Sequence, residues 1–402
     1  VSISSAASAI DFGSEAWTVS GAFDCESTDT AVWEAGTGTI LFDSATGDAS
    51  FTPCNFTSEA HFDDPEFDSS ATTAQTWTLA TREIRWSNTL TVEDSGAEAV
   101  SNILATAGLA LTGGAMTLGT GGTMTAGAST ITMNGDFNFS AGTFTYGTST
   151  VVFAANGTIT SPGIEDTAYT YNITVNASVT LTLGARFGIN NVLNMGNSST
   201  ITGAFYLDLQ VAGGQVNPLV LGTGVSLNGI NGFTFGNSAT TGYNVPAATY
   251  AQVYIRTQVA TLQGDMTVTY LEPRSGFVAA GNTVTVTASV SVSIIGSGYI
   301  TSTALGSWTV SGAWTNGSTS ASWSFAAPII FNAGANQTMT FAGTNLAGNE
   351  FDAVTFNSTA AMTYTMATRG LRLGGALSIT DTATTVGLTT SNLAVTAGSV
   401  TI

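Results

Sequence analysis

The chain has 402 residues and a formal net charge of −19, with seven cationic side chains and no lysine. Nucleic-acid binding needs cationic groups that neutralise phosphates, so this charge excludes a nucleic-acid partner. No run of 18 apolar residues occurs, and no membrane-spanning helix is predicted. Serine and threonine supply 109 residues and glycine another 46, whereas long straight-chain helix formers are scarce. The composition predicts an all-β protein without appreciable helix.

Alternation of polar and apolar residues marks short strands along the chain. It is plain in Thr180-Leu181-Thr182-Leu183 and in Thr283-Val284-Thr285-Val286-Thr287. Pairs such as Asn156-Gly157 and Gly374-Gly375 interrupt these runs, and asparagine and glycine tolerate the positive φ angles of tight turns. The pattern predicts many short strands joined by turns.

A threonine-rich phrase that ends in arginine recurs four times. Its arginines are Arg82, Arg186, Arg274 and Arg369, at separations of 104, 88 and 95 residues. The phrase Trp-Thr-Val-Ser-Gly-Ala also occurs twice, beginning at Trp17 and at Trp308. An internal period of this length predicts a four-fold repeat of stacked β-arches, or β-solenoid, in which each unit buries its face on the next. The arginines are predicted to occupy equivalent positions.

The first predicted unit, residues 1–106, holds 17 of the 26 acidic residues and both cysteines. An intrachain disulfide between Cys25 and Cys54 is the default expectation for a chain of extracellular composition. Bridges between subunits and free thiols remain as alternatives. A zinc site is not expected, because His61 is the only histidine available to complete it.

An acidic segment follows the second cysteine. Asp63, Asp64, Glu66 and Asp68 could supply hard oxygen ligands to Ca²⁺, although their spacing is not that of a dedicated calcium loop. A solvated acidic loop is the simpler interpretation. Paired carboxylates could also serve glycoside hydrolysis, but the lack of lysine and of further site residues argues against an enzyme.

The rest of the chain is nearly uncharged, and its predicted parts run in order. Residues 107–133 are glycine-rich connecting strands, residues 134–203 a second β-repeat, residues 204–304 a third and divergent one, and residues 305–402 a fourth. Asn156 and Asn316 lie in Asn-Gly-Thr and Asn-Gly-Ser sequons at predicted turns, where glycosylation is permitted.

The recurring arginines allow two interpretations. In the first, each arginine lies at a strand end and its five donors satisfy backbone carbonyls. In the second, they form a cationic ladder that binds acidic glycans, which would require exposure on one face. The second arginine at +3 that accompanies Arg82 and Arg369 is missing after Arg186 and Arg274, which weakens the ladder.

These repeats resemble the β-strand repeats of very large secreted bacterial and archaeal surface proteins. The shared order is Trp-Thr-x-Ser-Gly, an apolar run ending in Phe, a strand such as Tyr171 to Val175, and Leu-Thr-Leu. Size, a pI near 4.1 and the absence of lysine make the chain most similar to sheath proteins of filamentous methanogenic archaea. The resemblance implies amyloid-like hoops around cells and no catalytic residues. No cofactor is expected other than Ca²⁺ at the acidic segment.

Two functions from different classes follow. The first is a self-assembling structural protein of an extracellular sheath, tube or fibre, exported with removal of a signal peptide and associated with itself or with other cell-envelope components. Strand-like ends at Val1 to Ser5 and at Ser399 to Ile402 would then extend head to tail. The alternative is a monomeric, carbohydrate-binding surface adhesin that displays Trp314 and Trp323 along one face.

Overall fold

A computed structural model gives the structure of the protein. It describes residues 2–3, 10–11, 13–25, 33–34, 36–44, 47–53, 62–69, 73–96, 101–165, 169–210, 215–236, 242–292, 299–302, 306–316, 322–340, 351–358, 360–367, 370–380, 385–391 and 393–402. Over these ranges the chain forms 45 strands and no helix. The predicted all-β class is therefore confirmed.

The first 22 strands lie before residue 205. They are β1 (Ser2–Ile3), β2 (Ile10–Asp11), β3 (Trp17–Val19), β4 (Phe23–Cys25), β5 (Trp33–Glu34), β6 (Thr39–Asp43), β7 (Ala49–Thr52), β8 (Asp64–Asp68), β9 (Gln75–Leu79), β10 (Ile84–Val92), β11 (Asn102–Ala105), β12 (Leu111–Leu118), β13 (Gly122–Thr125), β14 (Thr130–Met133), β15 (Phe137–Asn138), β16 (Thr143–Thr145), β17 (Thr150–Phe153), β18 (Gly157–Thr160), β19 (Thr170–Val175), β20 (Thr180–Leu183), β21 (Phe187–Met195) and β22 (Thr200–Thr202).

The remaining strands follow Phe205. They are β23 (Tyr206–Leu209), β24 (Leu219–Leu221), β25 (Ser226–Gly229), β26 (Gly232–Phe235), β27 (Tyr243–Val245), β28 (Ala248–Ile255), β29 (Val259–Leu262), β30 (Met266–Pro273), β31 (Gly276–Val278), β32 (Val284–Val292), β33 (Tyr299–Ser302), β34 (Trp308–Val310), β35 (Trp314–Asn316), β36 (Ser322–Phe325), β37 (Ile329–Ala333), β38 (Gln337–Thr340), β39 (Val354–Ser358), β40 (Met362–Ala367), β41 (Leu371–Arg372), β42 (Ala376–Ile379), β43 (Val386–Thr389), β44 (Val395–Thr396) and β45 (Ser399–Thr401).

The chain divides into two compact units. Unit 1 is Val1–Phe205 with Leu221–Ser226, and unit 2 is Tyr206–Val220 with Leu227–Ile402. The division at Phe205 lies beside the boundary predicted at residue 203. Residues 107–133, predicted as connecting strands, contribute β12, β13 and β14 to regular stacks of unit 1.

Unit 1 is a succession of coils whose strands pair in parallel with the equivalent strands of the next coil. Its main sheet includes β3, β6, β8, β10, β12, β14, β15 and β17 to β22. Its side sheet runs β1-β4-β7-β9-β11-β13-β16. Parallel pairing of each turn of chain with the next is the defining feature of a β-solenoid, so the predicted solenoid is confirmed.

One coil of unit 1 is much shorter than the predicted repeat. Leu111 pairs with Ile131, Ile131 with Val151 and Val151 with Ile173, which gives spacings of 20, 20 and 22 residues. The separations of 88 to 104 residues between the arginine phrases therefore cover several coils. The four-fold repeat count is not confirmed, and single coils are the structural repeat.

The interior of unit 1 is filled by stacked apolar side chains. Alternate residues along each strand point inward, and the same inward position recurs in the next coil. One such column contains Ile84, Leu111, Ile131, Val151 and Ile173, each at most 1% exposed. Burying these columns stabilises the coils, because each Å² of apolar surface removed from water contributes about 25 cal/mol.

The outward positions of unit 1 carry rows of threonine. On the side sheet, Thr123 pairs with Thr143 and Thr125 with Thr145, so two threonine columns stand side by side. On the main sheet, Thr158 and Thr182 stack with Thr202. Neighbouring parallel strands lie about 4.8 Å apart, so the hydroxyl and methyl groups of one row contact those of the next.

Unit 2 is built in the same way. Its main sheet passes from β23 through β26, β28, β30 and β32, and the two halves of β32 pair with β34 and β35. A side sheet runs β27-β29-β31-β33-β36. Trp308 and Phe331 are fully buried in its interior. Both units therefore share one architecture, although their sequences differ coil by coil.

Candidate functional site

The arginines of the repeated phrase follow strands of two kinds. Arg82 connects side-sheet strand β9 to main-sheet strand β10. Arg186 follows main-sheet strand β20, and Arg274 follows main-sheet strand β30 of unit 2. That these arginines occupy equivalent positions stays a prediction. Arg369 lies outside the described residues.

The contacts of these arginines differ from one arginine to the next. Arg82 Nη1 donates to the carbonyl oxygen of Cys25 at 3.1 Å and to that of Pro53 at 3.4 Å. Arg186 forms an ion pair with Glu165 at 3.0 Å, and Arg274 one with Glu272 at 2.6 Å. Arg82 thus ties three coils together through backbone carbonyls, whereas the other two are held by carboxylates.

Of the two cysteines, only Cys25 lies among the described residues. Cys25 is completely buried at the end of β4, and its coil borders a cavity of about 440 Å³ lined by Asp24, Cys25, Thr52, Thr81 and Arg82. Cys54 lies outside the described residues. A disulfide between Cys25 and Cys54 therefore stays a prediction.

The acidic segment forms strand β8, with Asp64, Glu66 and Asp68 at alternate positions on its outward face. Their carboxylates, and that of Asp63, are engaged by the next coils rather than by one another. Asp63 accepts from Ser87 Oγ, Asp64 from Asn88 Nδ2 and Thr89 N at 3.0 Å each, and Asp68 from Ser69 N at 2.7 Å and Ser95 N at 2.8 Å. Across the described ranges no group of three His, Cys, Asp or Glu side chains could hold a metal ion, and Ca²⁺ binding by Asp63, Asp64, Glu66 and Asp68 stays a prediction. His61 lies outside these ranges.

Glu66 has a distinct electrostatic environment in this segment. Burial raises the pKa of its carboxyl above the ordinary value, and the charges of Glu93 and Asp68 and a hydrogen bond with Glu93 raise it further. Glu66 pairs with Thr91 on the next coil, and Glu93 follows two residues later. Burial and the neighbouring carboxylates therefore both favour the protonated form of Glu66.

The two highlighted sequons differ in what the structure describes. Asn156 is exposed in the turn between β17 and β18, and its Oδ1 accepts the backbone N–H of Thr180 at 2.8 Å. Asn316 ends β35, where its backbone pairs with Val292, and its side chain is not described. Glycosylation at both positions stays a prediction.

Asn156 belongs to a recurring contact that the sequence analysis did not detect. In this contact an Asp or Asn side chain between strands accepts the backbone N–H of a threonine of the next coil, which lies within three residues of the start of a strand. The pairs are Asp48 with Thr76, Asp136 with Thr158, Asn156 with Thr180, Asn197 with Thr223, Asp265 with Thr283 and Asn336 with Thr363, at 2.7 to 2.9 Å. The sequence signal is an Asx followed, 18 to 28 residues later, by a threonine near the start of a predicted strand.

Trp314, one of the two aromatic residues predicted to lie on an adhesive face, is buried instead. Trp314 is 1% exposed and packs edge to face against Phe331 and Phe351 in the interior of unit 2. Inward alternation on β35, rather than display, decides its position. The side chain of Trp323 is not described.

A different aromatic group lies on an outward face of unit 2, and we call it the tyrosine cluster: Tyr206, Gln252, Tyr254, Tyr270 and Glu272. Tyr254 lies between the buried residues Val253 and Ile255 and so faces outward from β28. Its ring centroid is 5.7 Å from those of both Tyr206 and Tyr270. The sequence signal was Glu272 within the third arginine phrase, where the other phrases have an uncharged residue.

Hydrogen bonds order the tyrosine cluster. The hydroxyls of Tyr254 and Tyr206 donate to Gln252 Oε1 at 2.6 and 3.2 Å. The hydroxyl of Tyr270 donates to Glu272 Oε2 at 2.9 Å, and Arg274 Nε donates to Oε1 of the same carboxylate. Burial raises the pKa of Tyr254, and Tyr206, Tyr270 and Glu272 raise it further, so this phenol remains a neutral donor.

Comparison of the chain with family models, curated proteins and solved structures finds no match. In the part of the chain that the structure describes, no helix is long and apolar enough to cross a membrane. The candidate functions therefore have to be argued from the sheet faces and from the tyrosine cluster.

Proposed function

We propose that this chain is a self-assembling structural protein of an extracellular sheath, tube or fibre. The observation that carries the proposal is the regular parallel solenoid with threonine rows on its outward faces. Along the side sheet of unit 1, the paired outward positions Thr123, Thr125, Thr143 and Thr145 bear no charge. Soluble proteins use charged side chains to discourage association of their sheets, and these rows of threonine carry none.

The strand edges supply the directional part of the assembly. The outermost coil of a parallel stack presents backbone N–H and C=O groups that a strand of a second copy can pair with. At β45, pairing with β42 joins Ser399 to Ala376 and Val400 to Leu377, and Val400 is 58% exposed. Continued main-chain pairing would extend the rung spacing of one subunit into the next, which favours a polymer with high kinetic stability.

Sizing and diffraction test this proposal. The purified chain should form polymers whose mass increases with protein concentration, and aligned samples should diffract at about 4.8 Å along the fibre axis. Val400→Pro removes a donor from edge strand β45 and should reduce the polymer fraction, whereas Ile402→Pro, just beyond that strand, is the matched control. A chain that stays monomeric at high concentration, with both variants indistinguishable from it, contradicts the proposal.

A further inference from the structure

The tyrosine cluster occupies a sheet face on which threonine is the usual outward residue. Its members come from three coils of unit 2, because Tyr206 is on β23, Gln252 and Tyr254 are on β28, and Tyr270 and Glu272 are on β30. Register pairs Gln252 with Tyr270 and Tyr254 with Glu272. Two adjacent outward columns therefore hold aromatic rings, an amide and a carboxylate side by side.

A glycine brings two members of this cluster together. Gly232 on β26 lies in register with Tyr206, and a Cβ at Gly232 would approach Gln252 Cβ to 2.7 Å, so the Gln252 side chain occupies the space that this glycine leaves. The Tyr206 ring reaches across this glycine to the Tyr254 ring and to the Gln252 amide. The half-buried aromatic rings therefore surround this amide on the outward face.

Hydrogen bonds fix the orientation of the polar side chains in the tyrosine cluster. Because Gln252 Oε1 accepts two tyrosine hydroxyls, the amide orientation is fixed and its Nε2 remains as a donor. Glu272 is buried at 6% exposure, and Tyr270 and Arg274 supply its hydrogen bonds. The neighbouring charges balance, with Asp208 and Glu272 against Arg256 and Arg274.

From this arrangement we infer that the tyrosine cluster binds a neutral polysaccharide. Tyrosine rings present large apolar faces with a polar end, which suits the C–H face and the hydroxyls of a pyranose ring. The Gln252 amide donor and the acceptor lone pairs left on the tyrosine hydroxyls match ligands made of hydroxyl groups. An acidic glycan would need cations to neutralise it, and Arg274 is already paired with Glu272.

The inference is independent of the proposed polymer, because a monomer and a polymer would present the same face of unit 2. Calorimetric titration of the full chain with hexasaccharides of glucose, mannose and N-acetylglucosamine tests it, and hexagalacturonate serves as the acidic probe. At least one neutral probe should bind and hexagalacturonate should bind more weakly. Gln252→Ala and Tyr254→Ala should each weaken binding about ten-fold or more, the usual effect of truncating a central contact residue.

Matched variants distinguish binding from folding. Tyr171→Ala on β19 of unit 1 and exposed Gln263→Ala remove the same kinds of side chain elsewhere and should bind like the unmodified chain. Tyr254→Phe keeps the ring and removes only the hydroxyl that orients Gln252, so its loss should be smaller than that of Tyr254→Ala. Absence of binding to all three neutral probes, preference for hexagalacturonate, or unchanged binding by folded Gln252→Ala and Tyr254→Phe overturns the inference.

Discussion

The indole of Trp86 occupies the space that Gly113 leaves on the next coil. The two residues are paired in register between β10 and β12, and a Cβ at Gly113 would lie 2.1 Å from Cδ2 of the Trp86 ring. The indole Nε1 passes this glycine to donate to the carbonyl oxygen of Ala115 at 2.7 Å. Position 113 therefore requires glycine, because the Trp86 ring of the neighbouring coil fills the space that a side chain would need.

Gly113→Ala should therefore destabilise unit 1 by about 1–3 kcal/mol, the usual cost of overpacking a filled core. Chemical unfolding measures the change. Gly387→Ala is the control, because the nearest atom to a Cβ there is Thr363 Oγ1 at 3.4 Å. Combining Gly113→Ala with Trp86→Leu should cost less than the sum of the single changes. Additive costs would show that the indole does not set the requirement.

The side-chain contact between coils at Asn156 gives a second expectation. Asn156→Ala removes the acceptor for Thr180 N and should cost about 1 kcal/mol of unfolding free energy. Asn156→Asp keeps an acceptor oxygen, as Asp136 does for Thr158 on a neighbouring coil, and should cost less. Thermal unfolding of the two variants under identical conditions makes the comparison. Equal losses for both would mean that the amide N–H₂ group, and not the acceptor, matters.

The strands were predictable because period 2 is a local property of the sequence. The run Thr180 to Leu183 became β20, and the turn at Asn156-Gly157 separates β17 from β18. The repeat was not predictable, because coil length varies: Leu111 pairs with Ile131 after 20 residues but with Ile84 across 27. Turns of different length change the size of each coil, and the register also shifts within strands, as between Trp86 and Thr89. The spacing of the recurring phrases therefore does not give the length of a coil.

The sites were less predictable for a related reason. The sequence alone does not show which face of β35 Trp314 occupies. Its position in the alternation of inward and outward residues places it in the core. The tyrosine cluster joins Tyr206 to Tyr254 across 48 sequence positions, and no local pattern shows that these residues share a face. Contacts that depend on the register between coils cannot be predicted from local sequence patterns.

The buried hydroxyl of Tyr364 connects two strands of unit 2 through hydrogen bonds, and a single substitution can remove it. Its hydroxyl donates to the carbonyl oxygen of Asn357 and accepts from the N–H of Ala333, both at 2.8 Å. Tyr364→Phe retains the ring but leaves both backbone groups without this partner, at a cost of about 1–3 kcal/mol. Urea unfolding should show the loss, with Tyr171→Phe on an outward position of β19 as the control. A cost equal to that of the control would contradict the role of this hydroxyl.

Cys25 tests the predicted disulfide. If Cys25 and Cys54 are joined within one chain, thiol alkylation without reductant should label neither, and Cys25→Ser should cost about 3 kcal/mol through the lost loop constraint. If the bridges join subunits, reductant should convert a detergent-resistant polymer into monomers. Peptide mapping of an equal mixture of isotopically light and heavy chains, assembled together, separates these cases by the presence of mixed pairs. Two alkylated thiols in native protein would contradict both forms of the prediction.

The raised pKa of Glu66 determines how this carboxyl affects stability as pH changes. Because its folded-state pKa lies above the ordinary value of 4.5, the folded protein holds this proton more tightly than the unfolded chain. The resulting stabilisation is full below the unfolded-state pKa and is lost as pH rises through the folded-state pKa. Glu66→Gln should therefore raise the unfolding temperature relative to the unmodified chain at neutral pH.

The gain should be below about 1 kcal/mol, because Glu66 is only half-buried and solvent screens its interactions. Exposed Glu15→Gln removes the same charge from another coil and serves as the control. Glu93→Gln should also stabilise at neutral pH, because it removes the neighbouring carboxylate that opposes ionisation of Glu66. Thermal unfolding across the acidic to neutral range should show the curves of Glu66→Gln and the unmodified chain separating as pH rises. A Glu66→Gln variant that unfolds at a lower temperature than the unmodified chain at neutral pH would mean that the ionised, not the protonated, form of Glu66 supports the fold.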